Sequence, residues 1–175
     1  MNNLLAGKTA YLAGSIEKSP DEGRAWRDYL EKEISDRFQM KVFNPLKKSR
    51  DIRYEYGCDD ENDSRADRVA WKEQSKYELL QAIMVKIAFV DLLLVGKSDL
   101  LIVYLQADIP ALLTYFEMAE AIILDIPVLV VFDKGKKFAP DSLFGIVDHN
   151  YIFSSFDELL VFLDKVNSMP AMEFE

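Results

Sequence analysis

The sequence predicts an α/β fold with a doubly wound, mostly parallel sheet of about five strands and helices on both faces, of the flavodoxin-like or Rossmann-like kind. Short and almost continuously apolar segments alternate along the chain with longer segments in which apolar residues recur at helical spacing. The short segments lack the apolar-polar alternation of a half-exposed antiparallel strand, which indicates strands buried on both faces. The predicted strands are residues 8–13, 40–43, 99–104, 128–132 and 151–153.

The first strand and the first helix are predicted from the residues that end the one and begin the other. The apolar run 8–13 stops at Gly14 and Ser15, which are typical of a tight turn. Such a turn either aims backbone N–H groups and a hydroxyl at a ligand or only redirects the chain. Ser19 and Pro20 are typical of a helix start, so the first helix is expected to run from there to about residue 37.

Residues 46–64 are predicted to form a long polar loop inside a single domain that spans 1–175. The segment carries no hydrophobic period, and its acidic cluster (59–63) lacks the glycine and the distal glutamate of an EF-hand loop. A solvated loop is therefore a better interpretation than a calcium site. A loop of this length in a compact domain is often a lid or a binding loop.

Residues 65–95 show helical spacing, in one helix or two, and the second half is apolar on nearly every side. The apolar stretch 79–95 is short for a membrane span and is interrupted by Lys86 and Asp91. We therefore predict burial against the sheet and against a partner subunit, which means a homo-oligomer (a dimer or higher) and no membrane contact. The remaining predicted helices are 111–124 and 155–166, the second with Ser155 as its cap.

The composition of the chain excludes several classes of function. A formal net charge of -9 over 175 residues disfavours a nucleic-acid polymer as partner, because such binding needs a basic face. The single cysteine, Cys58, and the single histidine, His149, exclude an internal disulfide and a metal site built from several of these residues. No nucleophile elbow accompanies His149, so the sequence does not indicate a Ser-His-Asp triad. Glycine-rich phosphate loops are absent, so neither a metal nor a cofactor is expected. The N-terminus does not resemble a signal peptide, and we expect a cytoplasmic protein.

Carboxylates remain as the candidate catalytic groups. Glu117 lies in the first half of the helix after the third strand, and ligands of open α/β sheets bind outside the carboxyl ends of the strands. Asp91 stands alone in an apolar helix, where burial favours the protonated form of an acid. One protonated and one ionised carboxyl group that face the same crevice are able to cleave a glycosidic bond. Asp99 is better explained as a structural cap, Glu120 as a solvated side chain, and Asp108 as a helix cap or a site residue.

Six short motifs follow one another along the chain. They are Tyr11-Leu12-Ala13-Gly14-Ser15-Ile16, Asn44-Pro45, Val90-Asp91-Leu92, Ser98-Asp99-Leu100, Thr114 with Glu117-Met118-Ala119-Glu120-Ala121, and Ile126-Pro127-Val128. In their order and approximate spacing, over residues 8–131, they resemble the nucleoside 2-deoxyribosyltransferases and the related deoxynucleoside 5'-monophosphate N-glycosidases. The ordered set is more specific than any one of the motifs.

The resemblance implies a role for each matching residue. Glu117 matches the nucleophile that takes the deoxyribosyl group on C1', Asp91 the acid near the base, and Tyr11 the strand residue that places the nucleophile. The resemblance also implies a doubly wound domain, usually in an oligomer whose sites are completed by a neighbour. The residues that it assigns to substrate binding are Gly14, Ser15, Ile16, Asp108 and Thr114.

We therefore expect an enzyme that cleaves the N-glycosidic bond of 2'-deoxynucleosides and transfers the deoxyribosyl group to another base through a covalent intermediate on Glu117. Two alternatives stay open. One is hydrolysis of deoxynucleoside 5'-monophosphates to free base and sugar phosphate, which differs only in what resolves the intermediate. The other is a non-catalytic nucleotide-binding or sensing protein on the same fold, favoured by Leu112 and Leu113, which stand where the family has smaller residues.

Overall fold

The computed structural model of the chain describes residues 3–47 and 65–169, so Cys58 and most of the predicted loop at 46–64 lie outside the described residues. The strands are β1 (Thr9–Gly14), β2 (Lys41–Phe43), β3 (Leu100–Leu105), β4 (Val128–Phe132) and β5 (Ile152–Phe153). They form one sheet in the order β2-β1-β3-β4-β5, and all of its neighbouring strands are parallel. The predicted parallel sheet of about five strands is confirmed.

Helices cover both faces of this sheet. The described helices are α1 (Arg24–Phe38), α2 (Arg65–Glu73), α3 (Tyr77–Gly96), α4 (Leu112–Ile123), α5 (Asp141–Phe144) and α6 (Phe156–Ser168). Leu30 of α1 and Leu159 of α6 are buried in a core on one face, and Val90 of α3 and Met118 of α4 are buried in a core on the other. The doubly wound α/β fold is therefore confirmed. Its strand order reverses direction between β1 and β3, and ligands of such folds bind at the carboxyl ends of those two strands.

The first helix begins at Arg24, later than the predicted start at Ser19. Gly23 takes a left-handed conformation (φ 71°), which interrupts a helix that would otherwise begin at Pro20. The side chain of Asp21 then accepts the backbone N–H groups of Gly23 and Ala25, each at 2.9 Å. The first N–H groups of α1 are therefore bonded by the carboxylate of Asp21 and not by Ser19, the residue at which the helix was predicted to start. The predicted cap of α6 is correct: the Ser155 hydroxyl accepts the Glu158 N–H at 3.2 Å.

Among the described residues, one helix, α3, has the length and the apolar composition of a membrane-spanning helix, and these two properties are the only basis for the comparison. Its second half packs on the sheet, where Val90, Leu94 and Val95 are buried. Large apolar side chains on the outer side of the helix are exposed, including Val85 in its first half and Phe89 in its second. Packing against the sheet therefore explains the apolar residues on the inner side of α3. It does not explain those that are exposed on the outer side.

Candidate active site

A hydrogen bond between Tyr11 and Glu117 lies at the centre of the candidate site. The Tyr11 hydroxyl donates to Glu117 Oε1 at 2.8 Å, and the two residues are 106 positions apart in sequence. Tyr11 is on β1 and is 0% exposed, while Glu117 is on α4 and is 4% exposed. The fold brings them together because α4 follows β3, the strand that pairs with β1.

Asp91 of α3 completes a group of three. It is 2% exposed, and its side chain interacts with the Tyr11 hydroxyl, as does Glu117. Burial, followed by the negative charges of Glu117 and Asp91, raises the pKa of Tyr11 well above its ordinary value. Tyr11 therefore keeps its proton at neutral pH and acts as a hydrogen-bond donor. Three elements, β1, α3 and α4, thus contribute one polar side chain each to a dry cluster.

Two turns meet beside this cluster. Ser15, which is buried, donates its hydroxyl hydrogen to the carbonyl oxygen of Pro110 at 3.1 Å. This contact joins the turn after β1 to the turn after β3, at the point where the strand order reverses. Ile16 follows on the first turn and is half-buried, and Thr114 is buried one helical turn before Glu117.

Gly14 is required here by packing. A Cβ atom on Gly14 would lie 2.8 Å from Trp26 Cζ2, closer than such atoms approach, and 3.1 Å from the backbone oxygen of Tyr104, which is tighter than most such contacts. The glycine therefore lets the end of β1 pack against α1 and β3. This explains the residue without reference to a ligand.

Two other carboxylates stand apart from the cluster. The Asp108 side chain is exposed and pairs with Lys134 Nζ at 2.6 Å, and the residue that caps α4 is Ala111, so Asp108 is not the helix cap. Asp99 accepts the Thr9 N–H and the Lys8 ammonium, each at 2.8 Å, at the amino end of β1. These bonds give Asp99 the structural role that was predicted for it.

Leu112 and Leu113, which stand where the family has smaller residues, differ in their exposure. The Leu112 side chain is 74% exposed and so lies on the surface, whereas Leu113 is half-buried. A surface depression of about 400 Å³ lies elsewhere, between β5 and α6, and its lining includes Phe153, Val161 and Phe162. None of the predicted site residues lines it. In the described ranges, no three His, Cys, Asp or Glu side chains are grouped as a metal site would require.

Arg27 is a buried residue of this region that the sequence analysis missed. It is 0% exposed, and its guanidinium reaches the carboxyl end of β1, where Nη2 donates to Gly14 O at 2.7 Å. The sequence does carry a signal for it. Arg27 shares the helical spacing of Leu30 and Ile34, which line the buried face of α1.

The fold is similar to that of solved structures, although no protein-family model and no curated protein sequence matches the chain. A 2-deoxyribosyltransferase from the psychrotolerant bacterium Bacillus psychrosaccharolyticus matches with a TM-score of 0.53 and 13% identity, over 93% of each chain. A conserved protein from Enterococcus faecalis V583 matches with a TM-score of 0.50 and 20% identity, over 93% of this chain and 89% of that one. The chain therefore has the fold of a 2-deoxyribosyltransferase, as the family resemblance of its sequence motifs implies.

Proposed function

We propose that this protein cleaves the N-glycosidic bond of 2'-deoxynucleosides and transfers the deoxyribosyl group to another base. The observation that carries the proposal is the buried hydrogen bond between Tyr11 and Glu117, with Asp91 against the same hydroxyl. The cluster lies beside the carboxyl ends of β1 and β3, where this fold class binds its ligands. The likeness to a 2-deoxyribosyltransferase supports the same chemistry.

In the proposed reaction Glu117 is the nucleophile. Its carboxylate attacks C1', an ester bond forms to the deoxyribosyl group, and the bond between C1' and the base nitrogen breaks. The electron pair of that bond stays on the base, which takes a proton from Asp91. A second base then attacks C1', loses its proton to Asp91 and releases the Glu117 carboxylate. Tyr11 holds Glu117 Oε1 throughout, so we assign the attack to Oε2.

A substrate must part the two turns above the cluster. Glu117 and Asp91 are almost fully buried, and the hydrogen bond from Ser15 to Pro110 joins the turns. The bond is a neutral one and contributes only about 1 kcal/mol, which substrate binding readily replaces. Closure over the bound nucleoside then excludes water, and this favours transfer to a base over hydrolysis.

Hydrolysis of deoxynucleoside 5'-monophosphates is the second candidate. The observation in its favour is Ser15, whose hydroxyl lies on the turn after β1 and is able to turn from Pro110 to a phosphate oxygen. Product analysis with and without an acceptor base separates the two reactions. In the hydrolase, Ser15→Ala raises KM for the monophosphate and leaves KM for the nucleoside unchanged.

A non-catalytic nucleotide-binding protein is the third candidate, and the low exposure of both carboxylates favours it. Such a protein is stabilised against heat by a deoxynucleoside while it forms no product. The enzyme is both stabilised and active. Thermal unfolding with each nucleoside, beside chromatography of the same samples, therefore distinguishes the two.

The proposed enzyme is a cytoplasmic homo-oligomer. Two neighbouring helices expose large apolar side chains on their outer faces, Val85 and Phe89 on α3 and Leu112, Phe116 and Ile123 on α4. Large apolar side chains that are exposed together on neighbouring helices are typical of an interaction site. The inner faces of the same helices carry Asp91 and Glu117, so a second copy that covers them also supports the catalytic cluster.

The test of the proposed function uses two glutamates of the same helix. Wild type, Glu117→Gln and Glu120→Gln are incubated with deoxynucleosides and a free base, and products are separated by chromatography. We expect Glu117→Gln to lose at least about 10³-fold in rate, because it removes the nucleophile, and Glu120→Gln to retain the wild-type rate within about threefold. Equal rates in wild type and Glu117→Gln refute the proposal.

A further inference from the structure

Arg27 donates four hydrogen bonds, and all four go to backbone carbonyl oxygens. Two reach β1, from Nε to Leu12 O at 3.3 Å and from Nη2 to Gly14 O at 2.7 Å. Two reach the turn before α1, from Nη1 to Glu22 O at 3.2 Å and to Gly23 O at 3.1 Å. The guanidinium therefore joins the end of β1 to the start of α1.

The short length of β2 explains why β1 needs a side-chain donor. The Lys41 N–H in β2 binds Lys8 O, so alternate carbonyls of β1 from Lys8 onward point towards β2. β2 ends at residue 43. In this register the donor to the Leu12 carbonyl would be residue 45, which is a proline and has no N–H. The carbonyls of Leu12 and Gly14 thus point past the end of β2. Buried carbonyls need partners, and the planar fork of an arginine suits two at once.

The turn before α1 is shaped to receive the guanidinium. Gly23 has a left-handed conformation, and a Cβ atom there would collide with Arg27 Nη1 and would lie 2.9 Å from Ser15 O. Asp21 holds this turn through the Gly23 and Ala25 N–H groups. The turn at Gly23 therefore positions the Arg27 guanidinium and the start of α1, and it packs closely against Ser15.

The charge of Arg27 acts on the carboxylate cluster. Burial lowers the pKa of Arg27 to about 10, while the negative charges of Tyr11 in its ionised form, Glu117 and Asp91 act in the opposite direction. Arg27 is therefore charged at neutral pH. A buried cation is unfavourable unless opposite charge lies near it, and the buried carboxylates supply that charge from across β1.

In the part of the chain that the structure describes, Tyr11 from β1 and Asp91 from α3 belong to the same buried cluster as Glu117. The only titratable side chain on β3 is Tyr104, which packs against Trp26 on the opposite face of the sheet, and β4 has none. Within residues 3–47 and 65–169, Arg27 is therefore a buried cation whose charge acts on the cluster formed by β1, α3 and α4.

We propose that Arg27 is the positioning residue of this site: it holds the turn of Gly14 and Ser15 beside Glu117, and its buried positive charge favours the ionised form of Glu117. The catalytic consequence rests on the proposed function, because the ionised carboxylate is the nucleophile there. The electrostatic consequence is independent of any reaction.

Two substitutions separate charge from hydrogen bonding. Arg27→Lys keeps the charge and loses the fork, whereas Arg27→Gln keeps an N–H donor and loses the charge. The ionisation of Glu117 is followed by NMR of its carboxyl carbon in protein labelled with carbon-13 glutamate, and the resonance is assigned by its loss in Glu117→Gln. We expect the midpoint to rise by about one pH unit in Arg27→Gln, a tenfold change in the dissociation constant, and to move by less than about 0.3 units in Arg27→Lys.

Activity gives a second measurement. The acid limb of kcat/KM for the deoxynucleoside is expected to move with the Glu117 midpoint in Arg27→Gln, and KM is expected to rise about tenfold in both variants because the turn loses its fork. A merely structural arginine lowers the unfolding temperature in both variants and leaves the midpoint unchanged, and that result overturns the proposal. If Arg27→Gln does not fold, KM in Arg27→Lys decides: a rise of about tenfold supports the proposal, because the fork that holds the turn is lost, and a wild-type KM refutes it. A midpoint shift in a protein that makes no product refutes the proposed function and leaves this inference standing.

Discussion

Removal of the Tyr11 hydroxyl tests the geometry of the site without any substrate. In Tyr11→Phe the ring still packs in the core, but the 2.8 Å hydrogen bond to Glu117 Oε1 is lost in a place that water does not reach. We expect a lower free energy of unfolding, because the carboxylate loses a donor that solvent cannot replace.

The size of the effect depends on the charge of Glu117. Hydrogen bonds to charged groups contribute about 1.5–3 kcal/mol, and neutral ones about 0.5–1.5 kcal/mol. With an ionised Glu117, Tyr11→Phe lowers the free energy of unfolding by about 2–3 kcal/mol. In a Glu117→Gln background the amide oxygen accepts the same hydroxyl as a neutral group, and the loss falls to about 1 kcal/mol. The double-mutant cycle therefore predicts a coupling energy of about 1–2 kcal/mol.

The assay is urea unfolding of the four proteins at neutral pH, followed by circular dichroism, with an unchanged m-value as the sign that the denatured state is the same. Tyr104→Phe in the same two backgrounds is the control, because Tyr104 packs on the opposite face with Trp26 and Phe156. Its effects should add to those of Glu117→Gln within about 0.5 kcal/mol. Additivity of the Tyr11 and Glu117 changes within the same limit refutes the reasoning.

Three further predictions concern stability and assembly. The pKa of Tyr11 is raised in the folded state, so the contribution of Tyr11 to the free energy of unfolding is complete below about pH 10. Above about pH 10 this contribution falls by up to about 1.4 kcal/mol per pH unit. The loss should be absent in Tyr11→Phe when urea unfolding is repeated at rising pH. Ser155→Ala, which removes the cap bond to Glu158 N, should lower the free energy of unfolding by about 1 kcal/mol. Phe116→Glu should dissociate the homo-oligomer in sedimentation velocity, whereas Phe138→Glu, equally exposed but outside α3 and α4, should not; a monomeric wild type contradicts this prediction.

The sheet was predictable because each strand is recognisable by itself. β4, for example, is buried along its whole length, and five apolar residues in succession, rich in valine, are typical of a strand covered on both faces. The order of the strands in the sheet, by contrast, could not be predicted from single strands, because it depends on packing across the whole chain. Tyr11 and Glu117 meet only because β3 lies beside β1. That pair was expected from the resemblance to a family and not from the residues themselves.

Local signals failed where tertiary contacts decide the conformation. Ser19 and Pro20 are good helix starters, yet α1 begins at Arg24, because the turn before it takes the shape that the Arg27 guanidinium requires. Arg27 was not predicted to be buried, because a charged residue is expected on the surface. Its helical spacing from Leu30 nevertheless places it on the buried face of α1. The isolated position of Asp91 in an apolar helix, by contrast, was enough to indicate that it is buried.

The most direct test of the central claim is a search for the covalent intermediate. Wild type and Glu117→Gln are incubated with a 2'-deoxynucleoside in the absence of acceptor base, quenched in acid, and analysed by intact-mass and peptide mass spectrometry. The proposed function predicts that wild type gains the mass of one deoxyribosyl group, located on Glu117, and that Glu117→Gln gains none. Turnover by wild type with no adduct, or an adduct on another residue, contradicts it.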